Sequence, residues 1–131
     1  MVSAAHGKPT DGTVFVVDDD AAMRDSLQAL LEVRGFRTRC FESVAAFRAC
    51  KPGLLPGCVV LDLNMPERNG LELVEALSAE GSRLRVIMLS GGFNDDFKAR
   101  AMAAGATACI DKPFAPARLI EAVAAALPAG A

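Results

Sequence analysis

Four apolar runs in this chain lead into residues that can do phosphate or metal chemistry. Thr13–Asp18 (TVFVVD) opens the acidic run Asp18-Asp19-Asp20, and Cys58–Asp62 (CVVLD) closes on Asp62. Arg85–Ser90 (RVIMLS) ends in a hydroxyl followed by Gly91-Gly92, and Thr107–Ile110 is followed shortly by Lys112-Pro113. Carboxylates gathered in one pocket repel each other unless a cation is present, and hard oxygen ligands with open water positions suit Mg²⁺. A carboxylate held beside Mg²⁺ and a lysine is a competent phosphoryl acceptor, because the two cations neutralise the incoming oxygens. Ser90 could then donate its hydroxyl to an oxygen of the product. Each residue also has a plainer role. Asp20 suits a helix N-cap, Asp62 a turn aspartate, Ser90-Gly-Gly a turn, and Lys112 a solvated loop lysine. Their joint placement after successive strands favours the chemical reading over the separate ones.

The elements that must position these groups alternate along the chain. After the first strand, Met23, Leu27, Leu30 and Leu31 recur at helical spacing up to about Arg34, and Gly35 stops them. Phe36–Phe41 alternates in part, as a strand near a sheet edge does. Ser43 suits the N-cap of a short helix carrying Val44 and Phe47, and Pro52, Gly53, Pro56 and Gly57 mark a loop. Leu71, Val74 and Leu77 form a third helical stripe ending near Gly81, and Phe97 and Ala101 lie on a fourth that stops at Gly105. Leu119, Ile120, Val123 and Leu127 define a fifth, which Pro128 ends. Strands that alternate with helices and read as unbroken apolar runs predict an α/β fold, with a doubly wound parallel sheet covered on both faces. Right-handed crossovers give the strand order 2-1-3-4-5, and ligands then bind beyond the carboxyl ends of the strands.

Composition bounds the remaining classes. The chain has 131 residues, 52% hydrophobic, with seven Phe and neither Trp nor Tyr, so one core of aliphatic residues and alanine is expected. With 14 Lys+Arg against 16 Asp+Glu there is no basic footprint for direct nucleic-acid contact. Cys40, Cys50, Cys58 and Cys109 contain no C-x-x-C pair, and the single histidine is His6, a pattern of reduced thiols rather than a zinc or redox site. Residues 1–12 lack a signal-peptide stretch and no apolar run suits a membrane span, so a cytoplasmic protein with no membrane contact is expected. The expected organisation is an N-terminal tail over 1–12, one domain over 13–127, and a tail or linker start over 128–131.

At the residues named above, the sequence resembles the receiver domains of two-component response regulators. The resemblance spans roughly residues 13–127 and rests on V-F-V-V-D-D-D with Arg24 following, L-D-L-N-M-P-E-R-N-G, V-I-M-L-S-G and A-G-A-T-A-C-I-D-K-P-F. The later motifs look most like receivers of nitrogen-fixation-type transcriptional regulators. The resemblance implies a flavodoxin-like (βα)5 fold in which Asp62 accepts a phosphoryl group from a histidine kinase or phosphotransfer protein. It implies that Asp19 ligates Mg²⁺ directly with Asp62 and the backbone carbonyl of Asn64, while Asp18 supports the ion partly through water. Ser90 and Lys112 would grip the phosphoryl group, and Pro113 would follow a cis peptide. Met65-Pro66 and Gly70 would shape the loop after Asp62 and the start of the third helix. Output would run through the face of the fourth helix, fifth strand and fifth helix, including a phosphorylation-dependent homodimer.

Two departures from the family pattern stand out. Three residues before Lys112, where receivers carry Tyr or Phe, this chain has Cys109; and two residues after Ser90 it has Gly92, with no side chain to steer water. Three other classes fit less well. A haloacid-dehalogenase-type phosphatase wants a second Asp two residues after the nucleophile, where Asn64 stands. A flavin carrier wants a phosphate loop rich in glycine and hydroxyls, where Asp18–Asp20 stand. A pseudo-receiver, a pure interaction module not regulated by phosphorylation, would lack one of the acids, the hydroxyl or the lysine.

Overall fold

The computed structural model describes residues 12–50, 56–62, 67–92 and 94–127, with 67–69 described by their backbone alone. Five strands alternate with five helices: β1 Thr13–Val17, α1 Ala21–Val33, β2 Thr38–Phe41, α2 Val44–Ala49, β3 Gly57–Asp62, α3 Glu67–Ala79, β4 Leu84–Ser90, α4 Asp95–Ala104, β5 Ala108–Asp111 and α5 Pro116–Ala126. The strands form one sheet in the order β2-β1-β3-β4-β5, and every neighbouring pair is parallel. The expected fold class and strand order both hold.

Strand alternation divides one continuous run of apolar residues between two cores. Phe15, Val17, Val59, Leu61, Val86 and Met88 face α2, α3 and α4, meeting Phe47, Leu73, Val74, Leu77, Phe97 and Ala101. Val14, Val16, Cys58, Val60, Ile87 and Leu89 face α1 and α5, meeting Leu27, Leu31, Leu119 and Val123. Every residue of β1 and β3 is buried, which is why those strands carry no polar alternation. Each fully buried Leu or Val contributes about 1.5–3 kcal/mol relative to exposure. On α5 the buried face is Leu119, Ala122, Val123 and Ala126, with Ile120 and Leu127 only partly covered. Small alanines let that helix sit close to the sheet.

Several boundaries differ from the sequence reading for local reasons. Gly57 is the first residue of β3 rather than a loop glycine; a Cβ there would lie 2.7 Å from the Thr13 carbonyl oxygen, so the close approach of β1 demands glycine. Phe36 and Arg37 precede β2, and β5 runs one residue further than expected, to Asp111. Ser43 caps α2 as expected, its Oγ accepting from Ala46 N at 3.0 Å. Asn94 caps α4 by accepting from Phe97 N at 2.7 Å. Gly35 and Gly105 follow their helices with φ of 90° and 124°, conformations that favour glycine. Asn64, Met65, Pro66, Phe93 and the 51–55 part of the expected loop lie outside the described residues. So do most of the N-terminal tail and the C-terminal tail.

Candidate functional site at the carboxyl ends of the strands

Strands β1 and β3 pair in register from Thr13↔Gly57 to Val17↔Leu61, so the residues that follow, Asp18 and Asp62, come out side by side. This is where strand order reverses, since the chain passes from β1 outward to β2 and then back across to β3. Both carboxylates are fully buried. Lys112 reaches the same point from the loop after β5, with Nζ 2.5 Å from Asp62 Oδ2. Its backbone N–H donates to the Ser90 carbonyl at 2.9 Å, tying the lysine to the end of β4, and the Lys112–Pro113 peptide is cis as expected. The sequence-predicted Asp18, Asp62, Ser90 and Lys112 thus converge from four strand ends.

Asp18 is held on every side but one. Its N–H donates to Phe41 O at 3.0 Å, its carbonyl accepts from Arg24 Nη1 at 2.7 Å, and its Oδ1 accepts from Asp20 N at 2.8 Å. Asp20 in turn caps α1, its Oδ1 accepting from Ala22 N at 2.9 Å. Asp18 Oδ2 is buried with no hydrogen-bond partner among the described residues. Burial, reinforced by the neighbouring Asp62 charge, pushes the Asp18 carboxyl up to about 6. Asp19, next along the chain, is exposed, and among the described residues its carboxylate is not gathered with those of Asp18 and Asp62 into one metal-holding group.

Ser90 is 6% exposed, and its Oγ accepts from Gly92 N at 3.0 Å, which leaves the O–H available to donate. Gly91 and Gly92 stand where an added Cβ would meet nothing within 4 Å, so the approach beside Ser90 is open. Cys109 lies on β5 opposite Met88, half-buried against the core cluster shared by α3 and α4. The four cysteines are free thiols, and burial raises Cys58 to about 12 and Cys40 to about 11. They are poor nucleophiles.

A buried carboxylate pair with an unpartnered oxygen is the donor set that a hard divalent cation suits. Among the described residues no three His, Cys, Asp or Glu side chains are already gathered as a metal cage. Mg²⁺ commonly rests on one or two carboxylates and keeps several waters in its shell, which suits such a pair. Sequence reasoning had Arg24 only as part of a motif and gave it no role. Its signal was positional, a cation near the N-terminus of α1 where the helix dipole favours acids and the first turn has none.

The fold and the acidic pocket at its strand ends are those of a response-regulator signalling domain. The response regulator receiver domain model matches residues 14–124, and the chain belongs to that family. It is 39% identical over 118 residues to the transcriptional regulatory protein FixJ of Bradyrhizobium diazoefficiens, covering 90% of this chain and 58% of that protein. It is 43% identical over 115 residues to the transcriptional regulatory protein TdiR of Thauera aromatica, covering 88% of this chain and 51% of that protein. The chain thus spans between half and three fifths of the length of these relatives. Among solved structures it superposes on the crystal structure of FixJ-N with a TM-score of 0.79 and 36% identity, covering 89% of this chain and 94% of that one. No helix among the described residues is long and apolar enough to cross a membrane.

Proposed function

We propose that this domain, assigned to residues 13–127, is a phosphorylation switch whose acceptor is Asp62. The observation that carries the reading is the fully buried Asp62 carboxylate with the Lys112 ammonium 2.5 Å away, at the point where strand order reverses. An Asp62 oxygen would attack the phosphorus of a phosphohistidine on a sensor histidine kinase or phosphotransfer protein. The P–N bond breaks, an acyl phosphate forms, and the departing imidazole nitrogen takes its proton from solvent. Lys112 would pair with the phosphoryl oxygens, and the Ser90 O–H would donate to one of them. Asp19, Asp62 and the Asn64 carbonyl would hold Mg²⁺, with Asp18 supporting through its buried Oδ2. Bound there, the ion supplies positive charge that offsets the paired carboxylates and the incoming phosphoryl group.

The new charge would be read through α4, β5 and α5, the segment that begins after Ser90 and brackets Lys112. A homodimer formed on phosphorylation, or a partner docking on that face, is the output we assign, in keeping with the transcriptional regulators the chain resembles. The site lies in the cytoplasm on this reading, since the phosphodonor does. Incubation with acetyl phosphate and Mg²⁺ followed by intact-mass measurement tests the assignment. One phosphoryl group should add to the wild type and none to Asp62→Asn. Labelling of the mutant at the wild-type level sinks it.

A further inference from the structure

Beside the acidic loop after β1 stands a cation that no part of the phosphoryl chemistry uses. Arg24 sits one turn into α1, half-buried, and its Nη1 donates to the backbone carbonyl of Asp18 at 2.7 Å. Its own N–H donates to Asp20 O at 3.0 Å, so the guanidinium and the helix cap are fixed to the same three-residue loop. The guanidinium also lies close enough to β2 for its charge to offset part of the burial cost at Cys40. Arg24 therefore stands between the end of β1, the start of α1 and the edge strand.

The consequence falls on Asp18. Three of its four polar atoms are committed, to Phe41 O, Arg24 Nη1 and Asp20 N, and only Oδ2 is left, buried and without a donor. The Phe41 and Asp20 bonds fix the nitrogen and one carboxylate oxygen. The Arg24 bond fixes the carbonyl, and with it the peptide plane that leads into Asp19. Without that clamp the Asp18–Asp19 peptide can turn, and both acids lose their aim.

We propose that Arg24 is a positioning residue for the cation site, acting through the Asp18 carbonyl to pre-set the direction of Asp18 Oδ2 and of Asp19. This inference rests on the site reading given above. It separates Arg24 from a residue that merely staples α1 to the sheet. Groups that orient metal ligands from outside the coordination shell typically cost about 10–100-fold in metal affinity when removed.

The test uses Mn²⁺ as the probe, titrated into wild type, Arg24→Gln and Arg24→Lys and read by calorimetry or by the paramagnetism of the free ion. Circular dichroism and a thermal melt without metal check the fold. Arg24→Gln should keep its fold and lose about tenfold in Mn²⁺ affinity. Its acetyl-phosphate labelling rate should return close to wild type once Mn²⁺ is saturating, and Arg24→Lys should bind between the two. Should Arg24→Gln fail to fold, Arg24→Met, which keeps the stem and removes every donor, takes its place at lower temperature with the same readings. Wild-type Mn²⁺ affinity in the folded variant, or a lowered melting temperature with affinity unchanged, overturns the proposal. If Asp62→Asn blocks labelling while Arg24→Gln binds normally, only the Arg24 inference fails. If Asp62→Asn is labelled like wild type, the site reading beneath it fails.

Discussion

The two halves of the strand-end pocket are built differently. On the β1–β3 side, Asp18 and Asp62 are fully buried, and a web of short backbone and side-chain bonds fixes the loop that carries Asp18. On the β4–β5 side, the Ser90 O–H is left to donate, Cys109 is half-buried, and the side chain of Asp111 is 59% exposed with Lys98 as its partner. The first half concentrates negative charge in a rigid frame, which suits capture of a cation and a phosphoryl group. The second leaves slack, and a local charge reaches a distant surface only through an element with two accessible packings. On the proposed reading the cation rests mainly on the β1–β3 side, while Ser90 and Lys112 on the β4–β5 side would join the phosphoryl group to the segment assigned to output.

The largest expected effect lies in the charged half. Asp18 titrates in the folded protein at about 6, above its ordinary 3.8, so between these values the folded state holds more protons than the unfolded chain. Stability therefore falls as pH rises through this window; the penalty is absent below the ordinary value and complete above the folded one. Without divalent cations, Asp18→Asn should stabilise the protein at neutral pH by on the order of 2–3 kcal/mol and flatten the wild-type slope between about pH 4 and 6. Urea denaturation across that range measures both. Added Mg²⁺ should shrink the difference, because a bound cation offsets the repulsion in the wild type. An Asp18→Asn variant no more stable than wild type at neutral pH would mean that the buried pair stores no charge strain, and the contrast between the halves would lose its first term.

How much of this division was legible in the sequence follows the same line. Asp62, Ser90 and Lys112 could be placed because each ends or closely follows a short apolar run, and parallel pairing carries strand ends to one edge of the sheet. The interior of β1 and β3 was equally plain, since nothing polar interrupts TVFVV or CVVL. Arg24 was not legible as a clamp, because its partner is a backbone carbonyl and a carbonyl leaves no trace in residue type. The Lys98–Asp111 pair, at 2.8 Å, was missed because it joins α4 to β5 across a separation set by packing rather than by helical spacing. Gly57 was misplaced in a loop because its role, admitting the Thr13 carbonyl, depends on a neighbouring strand.

A middle-sized effect should come from the looser half. Receivers with an aromatic three residues before the lysine have a ring whose packing can differ between two states, and Cys109 has far less area to bury. Less free energy then separates the states, and coupling between phosphorylation and output should sit at the low end of the usual ~1–3 kcal/mol. Installing the ring with Cys109→Tyr should strengthen phosphorylation-dependent dimerisation or partner affinity by about fivefold, or 1 kcal/mol. Sedimentation with and without acetyl phosphate compares the two proteins. If wild type already responds as strongly as the Tyr variant, the slack on this side is not a deficit, and another residue carries the switch.

The smallest effect tests whether the outer surface of that half contributes to holding it. Lys98 Nζ lies 2.8 Å from Asp111 Oδ2, and the pair joins α4 to the last residue of β5, beside Cys109. Asp111 holds the Lys98 ammonium above its usual range, chiefly through the hydrogen bond between them. Both side chains are exposed enough for water and salt to screen the attraction, and ordering a long lysine costs most of what the bond returns. Lys98→Ala should accordingly leave the urea midpoint almost unchanged, and what difference remains should fade as salt is raised. Its effect should be clearer on the switch, because the pair bridges the two elements assigned to the output face. Freed of it, α4 can shift against β5, and phosphorylation-dependent dimerisation should change more than stability does. A large, salt-insensitive loss of stability would show instead that α4 and β5 form a rigid unit, and the division of the pocket into a fixed half and a yielding half would not hold.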